Sequence, residues 1–208
     1  MFARAVTAPR HILLLAAVLV GLAGCGKPRQ DADEPEGSFR MDVVQASFPA
    51  RQHIADQATM RIRVRNTSDK AAPVVAVTVQ TRGKTPGSGV SAFGQRANDS
   101  RLADPNRPVW VLDREPVGGT SAYTDTWTLG PLAAGQEKTF EWKVTPVEPG
   151  SYFLSYRVSP GLDEKAKLAQ GSRARGAFRV TVSDRPVPAR VDAKGNVVRG
   201  ERAGAGKD

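Results

Sequence analysis

The chain has 208 residues, 40% of them hydrophobic, a size that suits one domain with flanking segments. It carries 30 Lys+Arg against 21 Asp+Glu, a formal net charge of +9, yet shows no zinc-ligand spacing, helix-turn-helix pattern or aromatic RNA-binding motif, which argues against nucleic acid as a partner. A single cysteine, Cys25, excludes an intramolecular disulfide.

The first residues have three parts. Arg4 and Arg10 make a positive start, Ile12 to Val20 an apolar run, and Gly21-Leu22-Ala23-Gly24-Cys25 a small-residue close. That is the layout of a secretory signal, and the run is too short for the roughly 20 residues that span a bilayer core. Leu22-Ala23-Gly24-Cys25 resembles the lipobox of bacterial lipoproteins. The resemblance implies diacylglyceryl transfer to the Cys25 sulfur, cleavage before Cys25 so that residues 1–24 are a signal peptide, and a lipid-anchored position on the extracytoplasmic face of the cell membrane. A thiolate is a suitable nucleophile for that transfer. Two acyl chains anchor stably where one is reversible. Losing Arg4 and Arg10 lowers the net charge from +9 to +7.

Residues 25–38, Cys-Gly-Lys-Pro-Arg-Gln-Asp-Ala-Asp-Glu-Pro-Glu-Gly-Ser, are nearly without apolar side chains and read as a flexible tether. From Phe39 to Asp184 the pattern is period two, broken by Pro, Gly, Asn and Asp. Met60, Ile62 and Val64 alternate with Arg61, Arg63 and Arg65. Val75, Val77 and Val79 follow Pro73. Phe140, Trp142 and Val144 alternate with Glu141 and Lys143. Tyr152, Leu154, Tyr156 and Val158 alternate with Phe153, Ser155, Arg157 and Ser159, and Phe178, Val180 and Val182 close the set. Each is a half-buried strand signature, and weaker strands are expected over 40–47, 108–113 and 121–129. The fold expected is all-β, an immunoglobulin-like antiparallel β-sandwich of 7–8 strands over residues 39–184, with Trp127 and Trp142 filling the core. A long insertion, 81–120, interrupts it, and a loop of that length is usually functional or disordered. Residues 185–208 read as a mostly disordered basic tail, with a small hairpin conceivable over Lys194-Gly195-Asn196.

Arg61-Ile-Arg-Val-Arg-Asn-Thr-Ser-Asp69, Leu129-Gly-Pro-Leu-Ala-Ala-Gly-Gln-Glu-Lys-Thr-Phe140 and Val147-Glu-Pro-Gly-Ser-Tyr152 together resemble the cell-adhesion-related domain found in bacteria. The likeness runs over about 60–182, departing from it at 81–128 and by Ala-Ala-Gly135 in place of Pro-Gly. It implies the sandwich fold and an adhesion, scaffold or spacer role, and no catalytic residue. Gly135 suits a turn of positive φ, Pro149-Gly150 a type II turn, and Tyr152 a side chain reaching back to a backbone group. Asp104-Pro-Asn-Arg-Pro-Val-Trp110 and Gly161-Leu-Asp-Glu-Lys-Ala166 resemble a narrower set of actinobacterial exported proteins.

No cofactor or metal site is legible. His53 is the one histidine after the signal, no Gly-x-Ser-x-Gly elbow is present, and the cysteine is committed to lipid. Asp99, Asp104, Asn106 and Asp113 supply oxygen ligands of the kind calcium takes, without EF-hand spacing. Asp113 with Glu115, or Asp163 with Glu164, are the only motive for an envelope glycan hydrolase. Arg61, Arg63 and Arg65 form a stripe that is either a solvated face or a grip on phosphate or carboxylate groups. Trp110 is either an exposed aromatic anchor or a cap on the core beneath its loop. The expectation is a non-enzymatic binding or scaffold module at the cell envelope. Its partners would be the membrane, through the lipid on Cys25, and an anionic cell-wall polymer or an envelope protein. A glycan hydrolase and an accessory subunit of a membrane complex are the alternatives.

Overall fold

A computed structural model describes residues 34–82, 89–94 and 108–199. The signal peptide, the lipobox and most of the tether lie outside them, as do Asp99, Asp104 and Asn106. Among the described residues there is no helix, and so none able to cross a membrane.

The chain forms β1 (Gly37–Phe39), β2 (Met41–Ser47), β3 (Arg51–His53), β4 (Ala58–Asn66), β5 (Ala76–Arg82), β6 (Gly89–Ser91), β7 (Phe93–Gly94) and β8 (Trp110–Arg114). It continues as β9 (Thr120–Tyr123), β10 (Thr126–Thr128), β11 (Glu137–Pro146), β12 (Gly150–Ser159), β13 (Ala166–Leu168), β14 (Arg175–Ser183), β15 (Ala189–Val191) and β16 (Val197–Arg199). Two sheets carry the fold. One is five-stranded, in the order β2-β4-β11-β8-β7. The other is seven-stranded, in the order β3-β14-β12-β5-β10-β9, with β6 on the same edge of β5 as β10. The immunoglobulin-like frame is β2-β4-β11-β8 facing β3-β14-β12-β5, closed at one edge by the parallel pair β3–β14.

The alternation explains the layers. In β4, Met60, Ile62 and Val64 are fully buried while the arginines between them are exposed. Facing them across the sandwich are Val77, Val79, Leu154 and Val158. Aromatic side chains take the space a disulfide fills in antibody domains. Trp127 and Trp142 meet edge to face at 5.6 Å, Trp142 stacks on Phe140 at 5.6 Å, and Trp110 packs edge-on against Tyr152 at 5.5 Å. The buried Trp142 indole N–H finds no hydrogen-bond partner among the described residues, a cost its packing must offset.

The turns hold the frame in register. Asn66, fully buried, donates to the Lys70 and Leu132 carbonyls (2.9 and 2.8 Å) and accepts from the Ser68 amide at 3.0 Å, ending β4. Gly135 has φ 73°, the positive value expected of it. The Tyr152 hydroxyl donates back to the Pro149 carbonyl at 2.9 Å, as expected. Gly150 does not take a type II conformation: its φ is 147°, and an added Cβ would lie 2.9 Å from the Tyr152 hydroxyl. Glycine is needed there because the tyrosine returns directly over it.

Two expectations require correction and two open ones are sharpened. The segment 121–129 is not one strand but the hairpin β9–β10, turned at Asp125, whose short polar side chain tolerates φ 59°. Residues 34–38, read as the end of the tether, are docked: β1 pairs in parallel with β13, and the Glu34 carboxylate is buried. The segment 185–199, read as part of a mostly disordered tail, does contain the small hairpin noted over Lys194-Gly195-Asn196: β15–β16, with Asp192 accepting from the Lys194 and Asn196 amides at 2.9 Å each. The described parts of the insertion, 89–94 and 108–120, place Ala92, Phe93, Val109 and Trp110 in the core and add strands to both sheets.

Candidate functional site

The two outer faces of the sandwich are the surfaces available for recognition. On the five-stranded sheet, β4 runs beside β11 and β2. That register sets Arg61 opposite Glu141, and Arg65 opposite both Glu137 and Asp42. Arg61 Nε donates to Glu141 at 2.7 Å, and Arg114 reaches the same carboxylate at 3.3 Å. Arg63 donates to Gln45 and lies 3.8 Å from Glu137. The Arg61 hydrogen bond, opposed by partial burial, holds the Glu141 carboxyl below its usual range, with Arg61, Arg114 and Lys143 adding attraction. The stripe Arg61, Arg63, Arg65 is thus interleaved with carboxylates on neighbouring strands.

The seven-stranded sheet differs. None of its strands contains an Asp or a Glu, while Arg51, Arg82, Arg157, Arg175 and Arg179 all lie in them. Arg157 stands directly opposite Arg175, and Phe153 opposite Arg179, on the exposed face of the β12–β14 pair. Arg51, on β3, stands opposite Thr181 on the same face. Two shallow depressions follow this seam. Arg51, Phe153, Arg179 and Thr181 line one; Gln80, Ser155, Arg157 and Arg175 line the other. Reasoning along the chain passed over these arginines because they are scattered over three segments. The signal that could have found them is the lack of any acid in 150–159 and 175–183.

Trp110 cannot be an exposed anchor. It is fully buried, and its indole N–H donates to Gln52 at 2.8 Å. Strand pairing explains the burial: β8 runs beside β11 and carries Trp110 inward against Phe48 and Tyr152.

The loop carboxylates have structural employment. Asp113 accepts from Thr145 at 2.6 Å and Gln57 at 3.2 Å, and Glu115 from Ser121 at 2.7 Å and Trp127 at 3.4 Å. Asp163 pairs with Lys165 at 3.2 Å. No carboxylate lines either depression, and among the described residues no three His, Cys, Asp or Glu gather as a metal site would need. The exposed His53 has its Nδ1 at 2.8 Å from the Arg185 carbonyl.

The strongest polar clamp was not foreseen. Glu34 accepts from the amides of Leu162 (2.5 Å), Asp163 (3.0 Å) and Ala166 (2.8 Å). It fastens the start of the described chain to the loop after β12. Beside it, Arg173 gives Asp42 a backbone and a guanidinium hydrogen bond, each 2.9 Å. Burial pushes the Asp42 carboxyl up, but those bonds and the Arg173 and Arg40 charges outweigh it, and the group titrates below the ordinary aspartate value.

Neither a family model nor a curated protein matches the chain. Among solved structures it is similar to the CARDB domain of a Pyrococcus furiosus protein, in complex with di-metal ions, at 16% identity over 72% of this chain and 92% of that one, with a TM-score of 0.44. It is also similar to alpha-2-macroglobulin from Escherichia coli (15% identity, 73% of this chain and 18% of that one, TM-score 0.40) and to a beta-glucosidase from Listeria innocua in complex with glucose (17% identity, 71% and 16%, TM-score 0.38). The first is of the class that the turn motifs resemble.

Proposed function

We propose that this chain is a lipoprotein of the bacterial cell envelope, held to the outer face of the cell membrane by lipid on Cys25, whose β-sandwich is a non-enzymatic binding or scaffold module. The observation that carries the reading is Leu22-Ala23-Gly24-Cys25 directly after an apolar run too short to span a bilayer. The fold is consistent with it. The sandwich begins at Glu34, nine residues beyond Cys25, so the anchor keeps it within about 30 Å of the lipid surface even at full extension. Of the carboxylates that motivated a hydrolase, Asp113 and Glu115 are bound into the framework, and Asp163 and Glu164 lie exposed outside both depressions.

The test is Cys25→Ser in the full chain, followed by fractionation of membranes washed in high salt. The wash removes protein held only by charge. The expected result is transfer of the folded protein to the soluble fraction. Retention on washed membranes would mean that the apolar run itself is the anchor.

A further inference from the structure

We propose that the outer face of the seven-stranded sheet docks on an anionic phospholipid bilayer. The inference takes its orientation from the lipid-anchor reading, but the surface is defined without it. Arg51, Arg157, Arg175 and Arg179 project from β3, β12 and β14 on one exposed face, and no carboxylate occurs in any strand of that sheet. Like charges set directly opposite, as Arg157 and Arg175 are, repel one another, and the arrangement is relieved when anions sit between them. The neutral groups between the arginines include Ser151, Thr181 and the Gln80 amide, able to donate to phosphate oxygens, while the Ser155 hydroxyl donates to the Gln80 carbonyl. Phe153, exposed to 39%, places a ring in the middle of the face, where an aromatic can enter the headgroup layer.

A bilayer fits this face better than a polymer strand for two reasons. The charges are spread over three strands and the two depressions between them are shallow and open, which matches a plane of headgroups. The attachment point is also at the right end. Glu34 clamps Leu162, Asp163 and Ala166, in the loop that leaves β12 just beyond Arg157. Glu34, nine residues beyond Cys25, is therefore held at the end of β12 that carries Arg157. Each basic side chain close to an anionic surface adds roughly fivefold to binding, an attraction that fades within a Debye length of about 8 Å at physiological salt.

The experiment uses the full chain with Cys25→Ser, which carries no lipid, and vesicles of phosphatidylcholine with or without roughly a third phosphatidylglycerol. The quantity read is the gain in co-sedimentation due to phosphatidylglycerol, in which any charge-independent insertion of residues 12–24 cancels. The variant Arg51→Gln/Arg157→Gln/Arg175→Gln/Arg179→Gln should lose at least about 100-fold of that gain, and Arg157→Gln/Arg179→Gln about 25-fold. The variant Arg61→Gln/Arg63→Gln/Arg65→Gln, which takes three charges from the other face, should change it less than about threefold. A gain that survives the fourfold change, or that falls equally in the threefold one, overturns the proposal. So does displacement by linear polyphosphate at a phosphate concentration equal to that of the lipid, because the face would then be a site for a soluble polyanion. Because no variant here carries the lipid, failure of this face leaves the Cys25 anchor standing, and failure of the anchor leaves the face.

Discussion

The two outer faces of the sandwich carry similar numbers of arginines and differ in what surrounds them. On the five-stranded sheet, Arg61 and Arg63 meet Glu141, Glu137 and Gln45 across neighbouring strands. On the seven-stranded sheet, Arg157 faces Arg175, and no acid stands in any strand. The lesson is that the charge of a sheet face is a property of the register, not of one strand. A basic strand beside an acidic one is a neutral surface. Basic residues dispersed over three strands can add up to a charged one.

The largest expected effect concerns the core that both faces share. Trp142→Ala should cost roughly 3–5 kcal/mol, and Phe93→Ala, inside the insertion, about as much, both read as the urea midpoint. A small effect of Phe93→Ala would return the insertion to the status of a dispensable loop. Next, Glu34→Ala leaves three amides without their acceptor and should destabilise by about 2–3 kcal/mol, with faster hydrogen exchange at Leu162, Asp163 and Ala166.

The third effect depends on pH. The Asp42 carboxyl is held below its ordinary value in the fold, so its contribution is complete above the ordinary aspartate range. It fades as the pH falls through that range toward the lower folded value. Asp42→Asn should remove this part of the acid-side loss, an amount near 1 kcal/mol or less given that Arg173 is largely exposed. A variant with an unchanged acid limb would show that Arg173 does not hold the carboxylate in solution. The smallest effects separate the faces most cleanly. Arg61→Gln should destabilise by a few tenths of a kcal/mol, whereas Arg175→Gln, by relieving Arg157, should stabilise by a similar amount.

Much of the frame was readable along the chain, because period-two burial is a local signal. Met60-Arg-Ile-Arg-Val64 and Phe140-Glu-Trp-Lys-Val144 predicted β4 and β11 with the correct faces inward. Trp127 and Trp142 were expected in the core and are there. What escaped has a common cause: it depends on partners far apart in sequence. Glu34 lies in a polar run that composition marks as tether, and only the amides of Leu162, Asp163 and Ala166 bury it. For Trp110 the core position was one of two readings, and only its pairing with β11 and a hydrogen bond to Gln52 decide between them. The stripe Arg61, Arg63, Arg65 drew notice because it alternates along one strand, while Arg51, Arg157, Arg175 and Arg179 were passed over because they lie on three.

The claim that the two faces differ in charge balance can be tested in one measurement: the urea midpoints of Arg61→Gln and Arg175→Gln relative to the unsubstituted protein, at low and at high sodium chloride. The account predicts opposite signs at low salt, Arg61→Gln below and Arg175→Gln above, and convergence of both differences toward zero as the salt is raised. Equal signs, or an Arg175→Gln difference that ignores salt, would contradict it.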